Sequence, residues 1–126
     1  YKGSGYVAMQ EAVKDLKSSN FDAAIKNIED LVEASPDNLQ SAMILALAQF
    51  GKGDYRAVVN TLTLFRDKLD APGKSLLAKA HLNLGQAEPV LELIPADARE
   101  PALVLDRASA WLLKGKQDQA RRLIDQ

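Results

Sequence analysis

Apolar residues recur at three- and four-residue intervals along most of the chain. Val13 and Leu16 lead on to Ala24, Ile25, Ile28, Leu31 and Val32. This is the spacing of helices that each carry one apolar stripe. No stretch shows the sustained alternation of a strand bounded by turn signals. Polar and breaker residues place the boundaries. Asn20 and Asp22 mark a helix start, and Pro36 follows that helix's end. Asp37 or Asn38 caps the next helix. Asp54 opens one that should run to about Lys68. Asp70 and Pro72 give another start signal. Pro89 is tolerable only in a first turn. Pro95 then stops that helix early, so it should be the shortest complete one. Pro101 begins the helix that carries Leu103, Val104, Ala108, Trp111 and Leu112. The pattern predicts an all-α chain of eight helices in four antiparallel pairs.

The pairs repeat one another. Gly53, Gly85 and Gly115 sit in the same local context, and Ser19 takes the equivalent place in the first segment. Successive spacings are 34, 32 and 30 residues. Five residues beyond each stands a small or β-branched apolar residue: Ala24, Val58, Val90 and Ala120. Nine beyond stands a larger aliphatic: Ile28, Leu62, Ile94 and Ile124. Seven before each stands an alanine: Ala12, Ala46, Ala78 and Ala108. Small residues let crossing helices approach, and the aliphatics fill the space between neighbouring pairs. A single pair cannot bury its apolar face alone, so the core has to come from stacking.

These columns resemble the tetratricopeptide repeat, a helix-turn-helix unit with a 34-residue period. The strongest match is Gly53-Asp54-Tyr55 leading to Val58 and Leu62. The first segment offers Asn20-Phe21-Asp22-Ala23-Ala24, then Ile28, Leu31 and Pro36. Phe21 and Tyr55 occupy the family's aromatic position, and the four alanines match its small-residue position. The resemblance runs from about Gly5 to Ile124. The third and fourth segments depart from it, with Ala87 and Gln117 at the aromatic position. The family's early tryptophan is missing, and Trp111 falls where tyrosine is usual. The resemblance implies a right-handed α-solenoid of about four antiparallel helix pairs, a single repeat domain over residues 1–126. It also implies an inner wall built by the first helix of each pair. Aligned on that pattern, Tyr6, Met9, Val13 and Leu16 line the wall from the first pair. Gln40, Met43, Leu47 and Phe50 line it from the second. Ser75, Lys79, Leu82 and Asn83 follow from the third, and Leu105, Ser109 and Leu112 from the fourth. The first half of this groove is apolar, as a partner-binding strip would be. Met adapts its shape and Phe anchors, which suits a helix or extended peptide. Groove domains that clamp a terminal carboxylate use a set of Lys, Asn and Arg side chains. Here only Lys79 and Asn83 are polar candidates, which argues against such a clamp.

Composition narrows the chemistry. The 126 residues are 47% hydrophobic and 26% charged, with a net charge of −1. The length suits one domain or one short repeat stack. Near-neutrality speaks against a nucleic-acid partner, and Arg121-Arg122 is a short basic group followed by Asp125. There is no cysteine, so disulfides, thiolate nucleophiles and cysteine zinc sites are excluded. The single histidine, His81, has no histidine or cysteine to join it in a metal site or triad. Glu29, Asp30 and Asp97 read as solvated faces and caps rather than paired catalytic acids. Lys52-Gly53-Asp54 lacks the spacing of a phosphate loop. No enzymatic role, cofactor or metal is expected. The longest apolar run, Ala42 to Ala48, is too short to cross a bilayer.

The expected function is a protein–protein interaction scaffold that takes a partner helix or peptide in its groove. The groove residues are Tyr6, Met9, Val13, Gln40, Met43, Leu47, Phe50, Lys79, Leu82 and Asn83. Short degenerate repeats of this kind suggest an adaptor in a bacterial envelope, secretion or polysaccharide-export assembly. The alternative is a module for self-association or for docking within a larger protein. Starting Tyr1-Lys2-Gly3-Ser4-Gly5, the chain reads as part of something longer, with room for an upstream membrane tether. Ala120, Leu123 and Ile124 leave an apolar last helix. A solenoid end normally needs a polar face. That end is therefore expected to continue the stack or to meet another molecule, including a second copy.

Overall fold

The computed structural model describes residues 2–125. They form eight α-helices, with no strand among the described residues. The helices are α1 (Lys2–Lys17), α2 (Phe21–Ala34), α3 (Leu39–Gly51), α4 (Tyr55–Leu62), α5 (Ala71–Asn83), α6 (Ala87–Leu93), α7 (Pro101–Leu113) and α8 (Gln117–Ile124). The chain gathers into two compact units, one ending at Leu64 and the other beginning at Phe65. Within the first, α1 packs on α2, α2 on α3 and α3 on α4, and α1 also touches α3. Within the second, α5 packs on α6, α6 on α7 and α7 on α8, and α5 touches α7.

The same turn is built four times. Ser19, Gly53, Gly85 and Gly115 all have positive φ, between 59° and 80°. The residue after each sends its N–H back to a carbonyl five residues earlier. Asn20 bonds Asp15, Asp54 bonds Gln49, Gln86 bonds His81 and Lys116 bonds Trp111, all at 2.8–2.9 Å. This is the Schellman closure of a helix end, which needs one left-handed residue. Glycine enters that region freely, whereas a residue with a Cβ is strained there. Three turns have the glycine, and Ser19 carries the strain.

Caps explain the starts. Asn38, Asp54 and Asp70 each accept a backbone N–H three residues on, from Ser41, Ala57 and Gly73. Asn20 stands at the cap position of α2 without a side-chain bond, and Asp22 lies inside the first turn. Pro101 is in the first turn of α7, and Pro89 is the third residue of α6. With Pro95 just beyond its end, α6 has 7 residues and is the shortest α-helix described. One boundary differs from expectation. The α-helix opened by Asp54 stops at Leu62, and residues Thr63–Lys68 wind as a 3-10 helix. The Thr63 hydroxyl donates to the Val59 carbonyl at 2.6 Å, and the Thr63 N–H shares that carbonyl. A side chain competing for a helix carbonyl loosens the regular ladder at this point.

Burial follows the columns. Ala12, Ala46, Ala78 and Ala108 are buried, as are Ala24, Val58, Val90 and Ala120. Ile28, Leu62 and Ile94 are fully buried. In the first unit, Ala12, Ala24 and Ile28 meet Ile44, Leu45 and Ala48 of α3, with Met9 and Leu16 packed against them. Phe21 lies so close to Gly51 that a Cβ there would run into its ring. Two ion pairs recur at equivalent places. Lys52, just past α3, reaches Asp22, and Lys114, just past α7, reaches Glu88. The hydrogen bond to Asp22, then its charge, hold the Lys52 ammonium above the ordinary lysine range.

Ser19→Gly should raise stability by about 0.5–1 kcal/mol, because it removes left-handed strain at the cost of some unfolded-chain entropy. Gly85→Ala should lower it by about 1 kcal/mol. Thermal and urea melts followed by circular dichroism measure both. A destabilised Ser19→Gly would show that the first turn is not the equal of the other three.

Candidate functional site

In the first unit, the expected wall residues fall at intervals of three and four on α1 and α3, so each set shares one helix face. Tyr6 is 61% exposed, and its hydroxyl accepts from Gln10 Nε2 at 3.0 Å. Val13 and Leu47 are exposed, the latter at 44%, and Gln40 is exposed beside them in the pattern. Met9 and Leu16 are half-buried because they pack onto the core. Met43 and Phe50 are half-buried as well. The Phe50 ring meets Tyr55 edge-on, with centroids 5.3 Å apart. The face therefore has an exposed apolar crest of Tyr6, Val13 and Leu47 over a packed floor of Met9, Met43 and Phe50.

The second unit treats the same columns differently. Lys79 and Asn83 are exposed and Leu82 is half-buried. The Asn83 amide donates to the Lys79 carbonyl at 2.8 Å. Ser75, expected on the wall, is buried instead. Its hydroxyl donates to Asp106 Oδ2 at 2.6 Å. Lys79 Nζ donates to Ser75 Oγ at 2.6 Å and to Asp106 Oδ1 at 3.0 Å. Ser75 is thus drawn inward by a buried carboxylate on α7. A serine beside a lysine invites a nucleophilic reading. The hydroxyl proton is committed to Asp106, however, and the oxygen lies under cover where a substrate cannot meet it.

Asp106 escaped the sequence reading. Its column holds Ile44 in α3 and Leu76 in α5, both buried. A charged residue in that column was the available signal. Arg107, next to it, stands where Leu45 and Leu77 stand. It sends its guanidinium to the carbonyls of Leu91 and Ile94 at the end of α6, at 3.0 and 2.6 Å. These orphan carbonyls of a short helix thereby gain a donor. His81 is buried, with Nδ1 2.8 Å from Gln86 Oε1. Among the described residues, no group of three or more His, Asp or Glu is placed to hold a metal, and no helix is long and apolar enough to cross a membrane. No protein-family model matches the chain, and no curated protein or solved structure matches it.

Asp106→Ala should destabilise the second unit by about 1–3 kcal/mol, since it strands the buried Ser75 hydroxyl and removes the Lys79 counter-charge. Combining Asp106→Leu with Ser75→Ala should recover most of that loss, because an apolar pair needs no partner. Urea denaturation of the three proteins tests this. A double variant as unstable as Asp106→Ala would mean that the network is irreplaceable rather than merely satisfied.

Proposed function

We propose that the chain is a tetratricopeptide-like helical-repeat scaffold, an α-solenoid of paired helices, that binds a helix or extended peptide of another protein. Three features support the repeat reading. The left-handed turn recurs four times, the alanine and aliphatic columns are buried in register, and the lysine–carboxylate pair recurs between successive helix pairs.

The binding face is that of α1 and α3 in the first unit. The observation that carries this is the crest of Tyr6, Val13 and Leu47. Val13 and Leu47 are exposed at equivalent positions on α1 and α3, and Tyr6 is exposed two turns before Val13 on the same face of α1. A repeated apolar strip costs solubility and gains nothing for the core, so its use is recognition. The half-buried Met9, Met43 and Phe50 beneath it give a floor that can adjust, with a rigid aromatic at one end. The outer face of α2 is its opposite, with Asp22, Lys26, Asn27, Glu29, Asp30 and Glu33 all exposed. In the second unit Lys79 and Asn83 make the α5 part of the matching surface polar, whereas Leu105 and Leu112 of α7 are exposed on it.

A photo-crosslinking residue placed at Tyr6 or at Leu47 should capture a distinct polypeptide in cells. The same residue at Asp30 should not. Leu47→Glu combined with Val13→Glu should abolish capture at Tyr6 while moving stability by less than about 0.5 kcal/mol, because both sites are at the surface. Adducts composed of a second copy of the chain would replace this reading with self-association. Equal capture at Asp30 would remove the face altogether.

A further inference from the structure

One strip along the first helices is open wherever it occurs. Counting back six and two residues from the left-handed turn residue gives Val13 and Lys17 in α1, Leu47 and Gly51 in α3, and Lys79 and Asn83 in α5. All six are exposed. They are exposed although α3 packs on α1 and α2, and α7 packs on α5. The helix packing itself leaves the strip bare, so its exposure does not depend on an end of the chain. In the first unit Tyr6, Gln10 and Gln40 extend it, all exposed.

Charge on the strip differs between the units. In the second, Lys79 is already matched, with Nζ 3.0 Å from the Asp106 carboxylate. In the first, α3 has no ionisable side chain in its 13 residues. Lys17, one turn past Val13 on the same face of α1, is the one charge on the strip. It has no ion-pair partner among the described residues, whose pairs are those of Lys52, Lys79 and Lys114. Glu11 and Asp15 stand two residues to either side of Val13 and so lie on the far side of the helix. Asp15 there accepts from the Asn27 amide of α2 at 2.7 Å. Phe21, four residues past Lys17, packs its ring against Gly51, so the lysine end of α1 meets the glycine end of α3. A ligand that covers Val13 and Leu47 takes water from this ammonium. A neutral or basic ligand leaves that loss uncompensated, and an anion offsets it.

We infer that the ligand of this face is an acidic amphipathic segment of a partner protein. It sets aliphatic side chains against Tyr6, Val13 and Leu47, and the side-chain carboxylate of an Asp or Glu against Lys17. The inference rests on the reading of the α1–α3 face as the binding face, and adds the charge that its ligand carries. Val13 and Lys17 are about 6 Å apart along the helix axis. The acid therefore stands three or four residues from the buried aliphatic in a helical ligand, and two in an extended one.

The test uses the full chain in cells, with the photo-crosslinking residue at Leu47. Mass spectrometry of the digested adduct identifies the captured segment, and a synthetic peptide of that segment is titrated by fluorescence anisotropy. An Asp or Glu is expected within four residues of the crosslinked position. Lys17→Glu should weaken binding of the peptide about fivefold, the upper size of an exposed ion pair. Lys17→Arg should retain it. Lys14→Glu, about 100° round α1 from Val13, should leave it unchanged. Both reversals remove a positive charge from the same end of α1, so their thermal melts should agree. Replacing the peptide's acid by lysine should restore binding to Lys17→Glu. A captured segment without an acid, binding indifferent to Lys17→Glu, or failure of the charge exchange overturns this inference and leaves the face a binding face. No adduct at Leu47 or Tyr6, or an adduct made of a second copy of the chain, overturns both.

Discussion

A helix of about thirteen residues buries one stripe and leaves the rest of its surface wet, and a hairpin of two such helices still has an aliphatic facing outward. Everything in this chain answers that constraint. Ile28 is fully buried only because α3 lies over it, and Ile94 because α7 follows α6. The alanines seven residues before each turn matter for the same reason. A larger side chain at Ala12 or Ala46 would hold the helices apart and open the seam that the aliphatics fill. The turn serves the seam as well. A left-handed residue with two backbone closures reverses the chain within three residues, too short a link for the helices to separate.

Within that constraint the two units solve their seams differently. The first is apolar, with Ile44, Leu45 and Ala48 against Ala24 and Ile28, and a phenylalanine ring packed over Gly51. The second places Asp106 and Arg107 at the positions of Ile44 and Leu45 and satisfies both. The carboxylate takes Ser75 and Lys79, and the guanidinium takes two carbonyls left open where Pro95 cuts α6 short. Sizes trade places too. Where the first unit has Phe21 and Gly51, the second has Ala87 and Leu113. Ala87 is buried, and Leu113 is 47% exposed. A buried polar network adds little net stability, but it is intolerant of a shifted register. It can fix how α5 and α7 meet where the apolar columns are weakest.

The columns were legible because backbone geometry and close packing admit few residue types. Only glycine is at ease at positive φ, and only alanine fits the closest crossings. Gly53, Gly85, Gly115 and the four alanines therefore stand out with no knowledge of their neighbours. Ser19 could be placed only by register, since serine by itself signals nothing there. The eight helices and most of their caps followed from the same local rules. The Ser75–Asp106 bond did not, because it joins residues 31 apart whose pairing no local pattern encodes. Reading the columns of the first helices on their inward side, where Asp106 interrupts Ile44 and Leu76, was the route to it. The α-to-3-10 change at Thr63 was hidden for a related reason. It turns on which carbonyl one hydroxyl chooses. In the candidate face, spacing gave the right stripe but not its depth. Tyr6 and Leu47 stand free while Met9 and Phe50 are partly engaged by the core, a difference that only packing decides.

The first and last helix pairs obey the stacking constraint in opposite ways, and the contrast bears on what the molecule is for. The columns by which α3 and α7 face the preceding pair are filled in α1 by Gln10, Glu11 and Lys14, all exposed. That helix presents water with side chains that water favours. On α7 and α8, Leu112 and Ile124 keep the residue types of an internal seam. Selection for solubility alone would favour polar side chains there, as it does at Gln10 and Glu11. Leu112 and Ile124 are exposed, whereas Ile28 and Ile94 at the internal seams are fully buried. The crest on α1 and α3 follows the same logic on a different face. Both surfaces keep apolar side chains where burial within the described chain does not require them.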